Sequence, residues 1–415
     1  MRKHLLLASV AALWSGVAMA QPNSATIDDT GTNNTGTITQ SGGTGNDATL
    51  TQDGNANGGT ITQTGGSDNT ALVTQDGGPN TANVTQTAST DSTATINQGD
   101  DTNTATITQD MGTTDSAAIT QSGDLNAGTI TQTGGTLNSA MIDQIGTSNT
   151  ASITQTLATS DTDSITQNGT ANVANISHVS DSFDTVTVDQ IGSGNQANIS
   201  QDPGNNNTAD LTQNGANNNT MTPNPTFTFD NGFAWTPSFP PGIVQTGNDE
   251  LASVVQNGDN NNEWTQQQGS FNTASVTQGG DANAFILQNG AGPAANSATI
   301  DQSGGSATMS ESAGILQAGG NGTIAVQGNV ASITQTGAAG TGSMLADVTQ
   351  EDSLNTGTIT QTNAGVGDSL VASIWQSAGT GNTATIIQND ATSHLSYTDV
   401  ITQVGSNNHQ TINQH

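Results

Sequence analysis

Few side chains in this sequence could do chemistry. The chain has no cysteine, and its two basic residues, Arg2 and Lys3, both lie at the N-terminus, so thiol and lysine chemistry are excluded. The histidines after His4 are His178, His394, His409 and His415, and none has the spacing to Cys or Glu that is typical of a metal site. There is no nucleophile elbow either. The sequence therefore predicts neither an enzyme nor a bound metal.

Carboxylates are the remaining candidates, and calcium is the ligand that they would take. Residues 42–47, GGTGND, resemble one calcium-binding nonapeptide. The match occurs once, and the repeat described below has a different period, so a turn of that repeat is the favoured interpretation. We expect no cofactor, and weak calcium binding by acidic turns stays open.

The charge balance excludes several classes of partner. The formal charge is −32, and it becomes −34 once Arg2 and Lys3 are removed. Such a chain cannot neutralise phosphates, so neither nucleic-acid binding nor attachment to anionic lipid is expected. Hydrophobic residues make up 31% and aromatic residues 3%, too little for an ordinary globular core. Composition by itself would suggest disorder.

The N-terminus has the layout of a secretory signal peptide. Arg2, Lys3 and His4 precede an apolar run over residues 5–17, and Ala18-Met19-Ala20 is a small-x-small cleavage signal. A membrane anchor is the alternative, but Ser15 and Gly16 interrupt the run and it is too short to span a bilayer. We expect residues 1–20 to be removed, with no membrane insertion of the remainder.

Glutamine recurs with alternating steps of 12 and 11 residues, a period of 23. Asp29 begins the series, and His178 occupies the one slot that lacks glutamine. The glutamines are Gln40, Gln52, Gln63, Gln75, Gln86, Gln98, Gln109, Gln121, Gln132, Gln144, Gln155, Gln167, Gln190, Gln201 and Gln213. A branched aliphatic residue lies two positions before each slot, a small residue four before, and usually asparagine six before. These asparagines include Asn34, Asn46, Asn57, Asn69, Asn80 and Asn103.

Spacings of two residues define one face of a β-strand, so each 23-residue unit predicts strand, turn, strand, turn. Gly-, Asn- and Asp-rich segments provide the turns. One such unit cannot bury its own face, but stacked units can. The predicted fold is all-β, an amyloid-like two-sheet β-solenoid with coils of about 23 residues. Inward glutamines and asparagines would form hydrogen-bonded ladders between coils.

The pattern resembles the curlin repeat, Ser/Asn-x5-Gln-x-Gly-x2-Asn-x-Ala-x3-Gln. Gln121-Ser122-Gly123 and then residues 126–132 fit it in order, and residues 103–109 read NTATITQ. The resemblance implies a secreted fibre subunit that self-assembles into extracellular amyloid for biofilm matrix and adhesion, on the cell surface like a pilus or fimbrium. It further implies homopolymer formation, a nucleating minor subunit and an outer-membrane export channel as partners, and the ladder glutamines and asparagines as the functional residues.

Several features depart from the curlin pattern. The chain is longer than familiar curlins, and its first strand begins almost directly after residue 20, where curlins carry a secretion-targeting segment. This leaves the export route open. Asp163 replaces a small inward residue and His178 replaces a glutamine, so both are expected to weaken their coils. Simple drift of the repeat is favoured over a role as a gatekeeper against premature assembly.

The sequence divides into four segments: the signal peptide (1–20), the regular repeats (21–221), a Pro- and Phe-rich insertion (222–242) and a degenerate continuation (243–415). The insertion is too rich in proline for a central strand. It is expected to cover a sheet edge or to pack laterally, and ligand binding is the alternative. In the continuation the glutamine slots resume at Gln245, Gln256, one of residues 266–268, and Gln278.

Two other functions remain open. Strands such as Thr37-x-Thr39 and Thr106-x-Thr108 would place two outward threonines on each coil, as in ice-binding solenoids. Asn83, Asn175 and Asn198 interrupt that surface, and threonine is also an ordinary exposed strand residue. A monomeric stalk or adhesin with capped ends is the third hypothesis.

Overall fold

The computed structural model describes residues 22–218, 227–228, 234–235, 242–290, 295–302, 310–318, 326, 328–337, 343–363, 369–390 and 396–414. All regular structure in these ranges is β, and none of their residues forms a helix that could cross a membrane. The predicted fold class, a two-sheet β-solenoid of parallel strands, is confirmed. The predicted signal peptide and most of the 222–242 insertion lie outside the described residues.

The chain divides into two compact units, residues 1–190 and 191–415. The first contains strands β1 to β14 and the start of β15. Their bounds are β1 Ser24–Thr32, β2 Thr35–Ser41, β3 Asp47–Asn55, β4 Gly58–Thr64, β5 Thr70–Gly77, β6 Thr81–Thr87, β7 Thr93–Gln98, β8 Thr104–Asp110, β9 Ser116–Ser122, β10 Ala127–Thr133, β11 Ser139–Thr147, β12 Thr150–Thr156, β13 Thr162–Thr170, β14 Val173–Val179 and β15 Thr185–Ser193.

In the first unit, strands β1 to β13 with odd numbers form one parallel sheet and strands β2 to β14 with even numbers form the other. Each residue pairs with the residue 23 positions later, for example Gln52 with Gln75 and Gln63 with Gln86. Ala48, Leu50 and Gln52 of β3 are buried between the sheets, and the residues between them face outward. The period of two in the sequence therefore sets which side chains enter the core.

The turn glycine two residues after a ladder glutamine is required by the spacing of the coils. Gly54 has φ +114°, and a Cβ built on it would lie 2.0 Å from the carbonyl oxygen of Gly77 in the next coil. No side chain fits there without moving the main chain. The glycine recurs after most of the odd-numbered strands because neighbouring coils approach each other equally closely there.

The sequence predicted that the asparagines lie on the inner face of the strands, whereas in the structure they lie just before the strands. Asn46, Asn57 and Asn69 each come one residue before a strand, yet their side chains are buried. The reason is that an asparagine side chain can satisfy the main-chain carbonyls of a turn, which a residue inside the strand ladder does not need to do.

The second unit has the same two-sheet arrangement with unequal coils. Its strands are β16 Gln196–Asn205, β17 Thr208–Ala216, β18 Phe227–Thr228, β19 Ala234–Trp235, β20 Ile243–Asn248, β21 Leu251–Asn257, β22 Asn262–Ser270, β23 Thr273–Gly279, β24 Ala282–Asn289, β25 Ser297–Gln302, β26 Ser310–Gln317, β27 Val330–Gly337, β28 Ser343–Gln350, β29 Thr356–Asn363, β30 Ser369–Ser377, β31 Thr383–Asp390, β32 Tyr397–Val404 and β33 His409–Gln414.

The spacing between paired residues of the second unit varies. It is 21 residues from Gln267 to Gln288 and 44 from Gln201 to Gln245, where the insertion intervenes. Within the insertion β18 and β19 pair antiparallel, Phe227 opposite Trp235. The extra residues therefore lengthen connections while the strands stay parallel, and the pairing of β16 with β20 contains one register shift between Gln201 and Gly204.

One outer surface of the second unit is buried. Trp264 and Phe285 point away from the inner row of glutamines, yet they are buried and stack with ring centroids 4.9 Å apart. Leu287, Leu316 and Ala318 complete this apolar cluster. The regular repeats have no counterpart to it, because there the outward positions carry mostly threonine, serine and asparagine.

Candidate functional site: the amide ladders and a buried histidine cluster

The glutamines of each sheet form a ladder of side-chain hydrogen bonds, which in the even-numbered sheet is interrupted at His178. In the first unit, Nε2 of one glutamine donates to Oε1 of the glutamine 23 residues later. Distances run from 2.7 to 3.0 Å for the donors Gln40, Gln52, Gln63, Gln75, Gln86, Gln98, Gln109, Gln121, Gln132, Gln144 and Gln167, the last of which donates to Gln190.

The second amide hydrogen of these glutamines donates to main-chain carbonyls of the opposite sheet and of the following turn. Gln109, for example, also donates to the carbonyls of Thr93, 3.1 Å away, and Asp115, 3.3 Å away. A buried amide without partners would cost about 1–3 kcal/mol, whereas here both donors are satisfied. Gln40, in the first coil, is only half-buried, and the later ladder glutamines of the regular repeats are buried.

The asparagines also connect successive coils, mainly through the main chain. The main-chain N–H of Asn57 donates to Asn34 Oδ1 at 2.9 Å, and the main-chain N–H of Asn103 donates to Asn80 Oδ1 at 2.8 Å. Asn69 adds a side-chain bond, from Nδ2 to Asn46 Oδ1, at 3.0 Å. Each asparagine thus fastens a turn to the turn of the neighbouring coil.

The ladder is present in the second unit despite its irregular spacing. Gln201 donates to Gln245, and Gln213 to Gln256 at 2.7 Å. Of the three consecutive glutamines at 266–268, Gln267 is the ladder member, with Gln245 donating to it at 2.8 Å. The later rungs join Gln278, Gln288, Gln302, Gln317, Gln335, Gln350, Gln361, Gln376, Gln388 and Gln403.

The ladder changes character where His178 replaces glutamine. Gln155 and His178 are paired in register, but Gln155 Nε2 donates instead to Asp163 Oδ2 at 2.9 Å. The other oxygen of Asp163, Oδ1, lies 2.9 Å from His178 Nε2. Asp163 therefore supplies the acceptor that a protonated imidazole lacks, and it bridges the two side chains.

Two further aspartates complete this cluster on the opposite side of the imidazole. His178 Nδ1 lies 3.1 Å from Asp181 Oδ2 and 3.7 Å from Asp161 Oδ2. All four side chains are buried. Asp163 and His178 were predicted from the sequence to be unusual, and Asp161 and Asp181 were not. The available signal was the repeat itself, because the residues 23 positions earlier are Asn138 for Asp161 and Ala158 for Asp181.

The electrostatics of the cluster follow from burial and close charges. Burial raises the pKa of Asp161 to about 8, opposed by the hydrogen bond from the Asp184 main chain. Burial also raises the pKa of Asp163, against the effect of His178. For His178, burial alone would lower the pKa, but Asp163 and Asp181 outweigh it and raise the pKa to about 10.

Two buried glutamates occupy inner positions of the second unit. Glu263 takes the small-residue position of β22, opposite Ala284, and Glu311 takes the asparagine position before Gln317. Burial raises the pKa of each to about 7, and Asp301 adds to the shift of Glu311. Both side chains are therefore substantially protonated near neutral pH.

The outer face of the even-numbered sheet carries a column of threonines. Thr39, Thr62, Thr85, Thr108, Thr131 and Thr154 are aligned in register through β2 to β12. The adjacent column reads Thr37, Thr60, Asn83, Thr106, Thr129, Ser152 and Asn175. One column is thus uninterrupted over six coils and the other is mixed.

Comparison with known families identifies the repeat. The sequence model of the curlin associated repeat matches residues 43–77 and 126–156. Both matches lie in the first unit, and each contains a ladder bond, from Gln52 to Gln75 and from Gln132 to Gln155. No curated protein matches the chain.

Proposed function

We propose that the chain is a structural subunit that self-assembles into extracellular amyloid fibres of a biofilm matrix and serves adhesion, because two of its segments match the curlin associated repeat. The curlin repeat family is a structural family whose members are secreted extracellular fibre subunits. The proposal extends that role to this chain, with further copies of the chain itself as the principal partner. Catalysis has no part in it.

The observation that carries the proposal is the end of the strand ladder. β1 pairs with β3 through one edge, and nearly all of its side chains are exposed. The Ser24 main-chain amide donates to the Asn46 carbonyl, so alternate amides of β1 point toward β3 and the others toward the opposite edge, which pairs with no strand of the described residues. A free edge carrying in-register amide groups is a template for another strand.

Secretion is the second part of the proposal. Residues 1–20 have the composition of a signal peptide, and the rest of the chain has no lysine or arginine to hold it at an anionic surface. We assign the mature fibre to the cell surface, with an outer-membrane channel for export and a minor nucleating subunit as partners.

Fibre diffraction on the chain purified without residues 1–20 tests assembly directly. Reflections near 4.7–4.8 Å and 10 Å from elongated fibres are expected. The variant A25P/D29P sharpens the test, because these two amides point to the free edge of β1 and proline removes them. The variant should keep its fold but elongate at least about 10-fold more slowly. A25S/D29S is the matched control and should elongate like the parent.

A soluble β-rich monomer that never elongates would overturn the fibre proposal. Equal elongation by the proline and serine variants would show that growth does not use the β1 edge. A chain that stays monomeric and coats cells would support the stalk or adhesin hypothesis instead.

Ice binding is a second candidate, favoured by the six-threonine column. Aligned threonines on a flat sheet present hydroxyl and methyl groups at the regular spacing of the coils. Inhibition of ice recrystallisation by the monomer, abolished in T85D/T108D and retained in D28N/D143N on the other sheet, would establish it. Equal activity of both variants, or none in the parent, would exclude it.

A further inference from the structure

The cluster around His178 has the donor set of a cation site. His178 Nδ1, Asp161 Oδ2 and Asp181 Oδ2 all lie within 4.8 Å of one another, and the three residues are buried. An imidazole nitrogen with carboxylate oxygens suits first-row divalent metals such as Zn²⁺. Four ligands arranged tetrahedrally at about 2.1 Å would be separated by about 3.4 Å, and the two Nδ1–oxygen distances, 3.1 and 3.7 Å, bracket that value.

The unsatisfied atoms of the cluster also point to a ligand. Among the described residues, Asp161 Oδ2 and Asp181 Oδ1 accept no hydrogen bond, although both side chains are buried. Asp161 Oδ1, by contrast, accepts from the Asp184 amide at 3.0 Å. His178 is the only basic side chain in this cluster of three buried aspartates, and the mature chain has no lysine or arginine.

Asp163 is placed to orient the histidine ligand without contacting the metal ion itself. It lies 2.9 Å from Nε2, the ring nitrogen on the far side from Asp161 and Asp181, and Gln155 holds its other oxygen. Metal-binding histidines usually donate their second N–H to a carboxylate in this way, which fixes the ring orientation. The arrangement therefore has both an inner set of donors and the support that such a set needs.

We propose that Asp161, His178 and Asp181 form a buried site for a divalent first-row metal ion, with Asp163 orienting the imidazole. The ion joins the turn before β13 to β14 and the turn after it. It also brings positive charge to a coil in which three aspartates, Asp161, Asp163 and Asp181, replace neutral residues of the preceding coil. The site is independent of fibre assembly, so each can be tested without the other.

The test is zinc retention by the whole mature chain. The protein is unfolded in urea, refolded with or without Zn²⁺, freed of excess metal, and assayed for zinc per chain and for melting temperature. Because the site is buried, the ion enters during refolding. We expect about one retained zinc per chain and a higher melting temperature. X-ray absorption should give a shell of one imidazole nitrogen with oxygen ligands.

The matched variant is D161N/D181A, which restores the residues of the preceding coil, Asn138 and Ala158, and leaves the His178–Asp163 pair intact. It should fold and bind zinc at least about 100-fold more weakly. D163A, the residue found at Ala140, should weaken binding by about 10- to 100-fold. H409Q changes an exposed histidine and should leave zinc retention unchanged.

Two outcomes would overturn the proposal. One is a folded parent protein that retains no zinc after refolding in its presence, which would leave the cluster as an imidazolium paired with carboxylates. The other is equal retention by the parent and D161N/D181A, which would place the bound ion at the acidic surface.

Discussion

Asp163 Oδ1 lies 2.9 Å from His178 Nε2 in the core of the first unit, so the two departures from the inner repeat pattern compensate each other. The sequence pattern predicted that each of them, taken separately, weakens its coil. Together they form a buried ion pair that also receives the hydrogen bond from Gln155. Their contribution to stability is therefore a property of the pair.

The first prediction follows from this coupling. H178Q leaves a buried carboxylate without its partner, so it should lower the free energy of unfolding by about 3 kcal/mol. The double variant H178Q/D163A restores the glutamine and alanine of the preceding coils and should lose less than H178Q alone. Urea denaturation of the parent, both single variants and the double variant gives the coupling energy. Additive effects would contradict the pairing.

The cost of replacing a ladder glutamine should depend on where it lies in the stack of coils. Gln109 donates to three acceptors and receives a bond from Gln86, so Q109A should cost about 3 kcal/mol through lost bonds and a cavity. Q40A makes the same change in the half-buried first coil and should cost less than about 1 kcal/mol. Chemical denaturation measures both, and equal losses would mean that the ladder contributes little.

Two glycine substitutions test whether the turn glycines are required by the main-chain conformation. G54A should cost at least about 2 kcal/mol, because its Cβ would overlap the Gly77 carbonyl at a φ of +114°. In G58A the new Cβ has no heavy atom closer than 4.0 Å and φ is not positive, so the change should be neutral or stabilising by a few tenths of a kcal/mol. Thermal unfolding compares the two. A neutral G54A would contradict the close approach of the coils.

The raised pKa of Glu263 predicts that the second unit is more stable in acid than at neutral pH. Burial raises its pKa from 4.5 to about 7, so the folded state binds the proton more tightly than the unfolded state does. The stabilisation is complete below pH 4.5 and is lost as the pH rises through 7, a change of about 3 kcal/mol. E263Q should remove the part of the pH dependence that comes from Glu263 and leave the part from Glu311, whereas E351Q, at a glutamate that is not buried, should keep both. Urea midpoints between pH 5 and 8 provide the measurement.

Charge predicts how assembly responds to salt. Each mature chain carries a formal charge of −34, so bringing copies together is opposed by repulsion that ions screen. The lag before fibre growth should be long at neutral pH and low salt, and shorter in acid or in 0.5 M NaCl. Thioflavin fluorescence and light scattering would follow it. Lag times that do not change with ionic strength would rule out this mechanism.

The sequence alone determined the strand positions, the inward row of glutamines and the two-sheet solenoid, because a period of 23 with alternating steps fits only a stack of two-strand coils. The tertiary structure decided which turns meet which strands. It placed the asparagines in turns, selected Gln267 among three glutamines, and buried Trp264 on an outer face. It also brought Asp161, Asp163, His178 and Asp181 together. Periodicity assigns a residue to a face, but contacts around a turn depend on main-chain geometry that side-chain spacing does not encode.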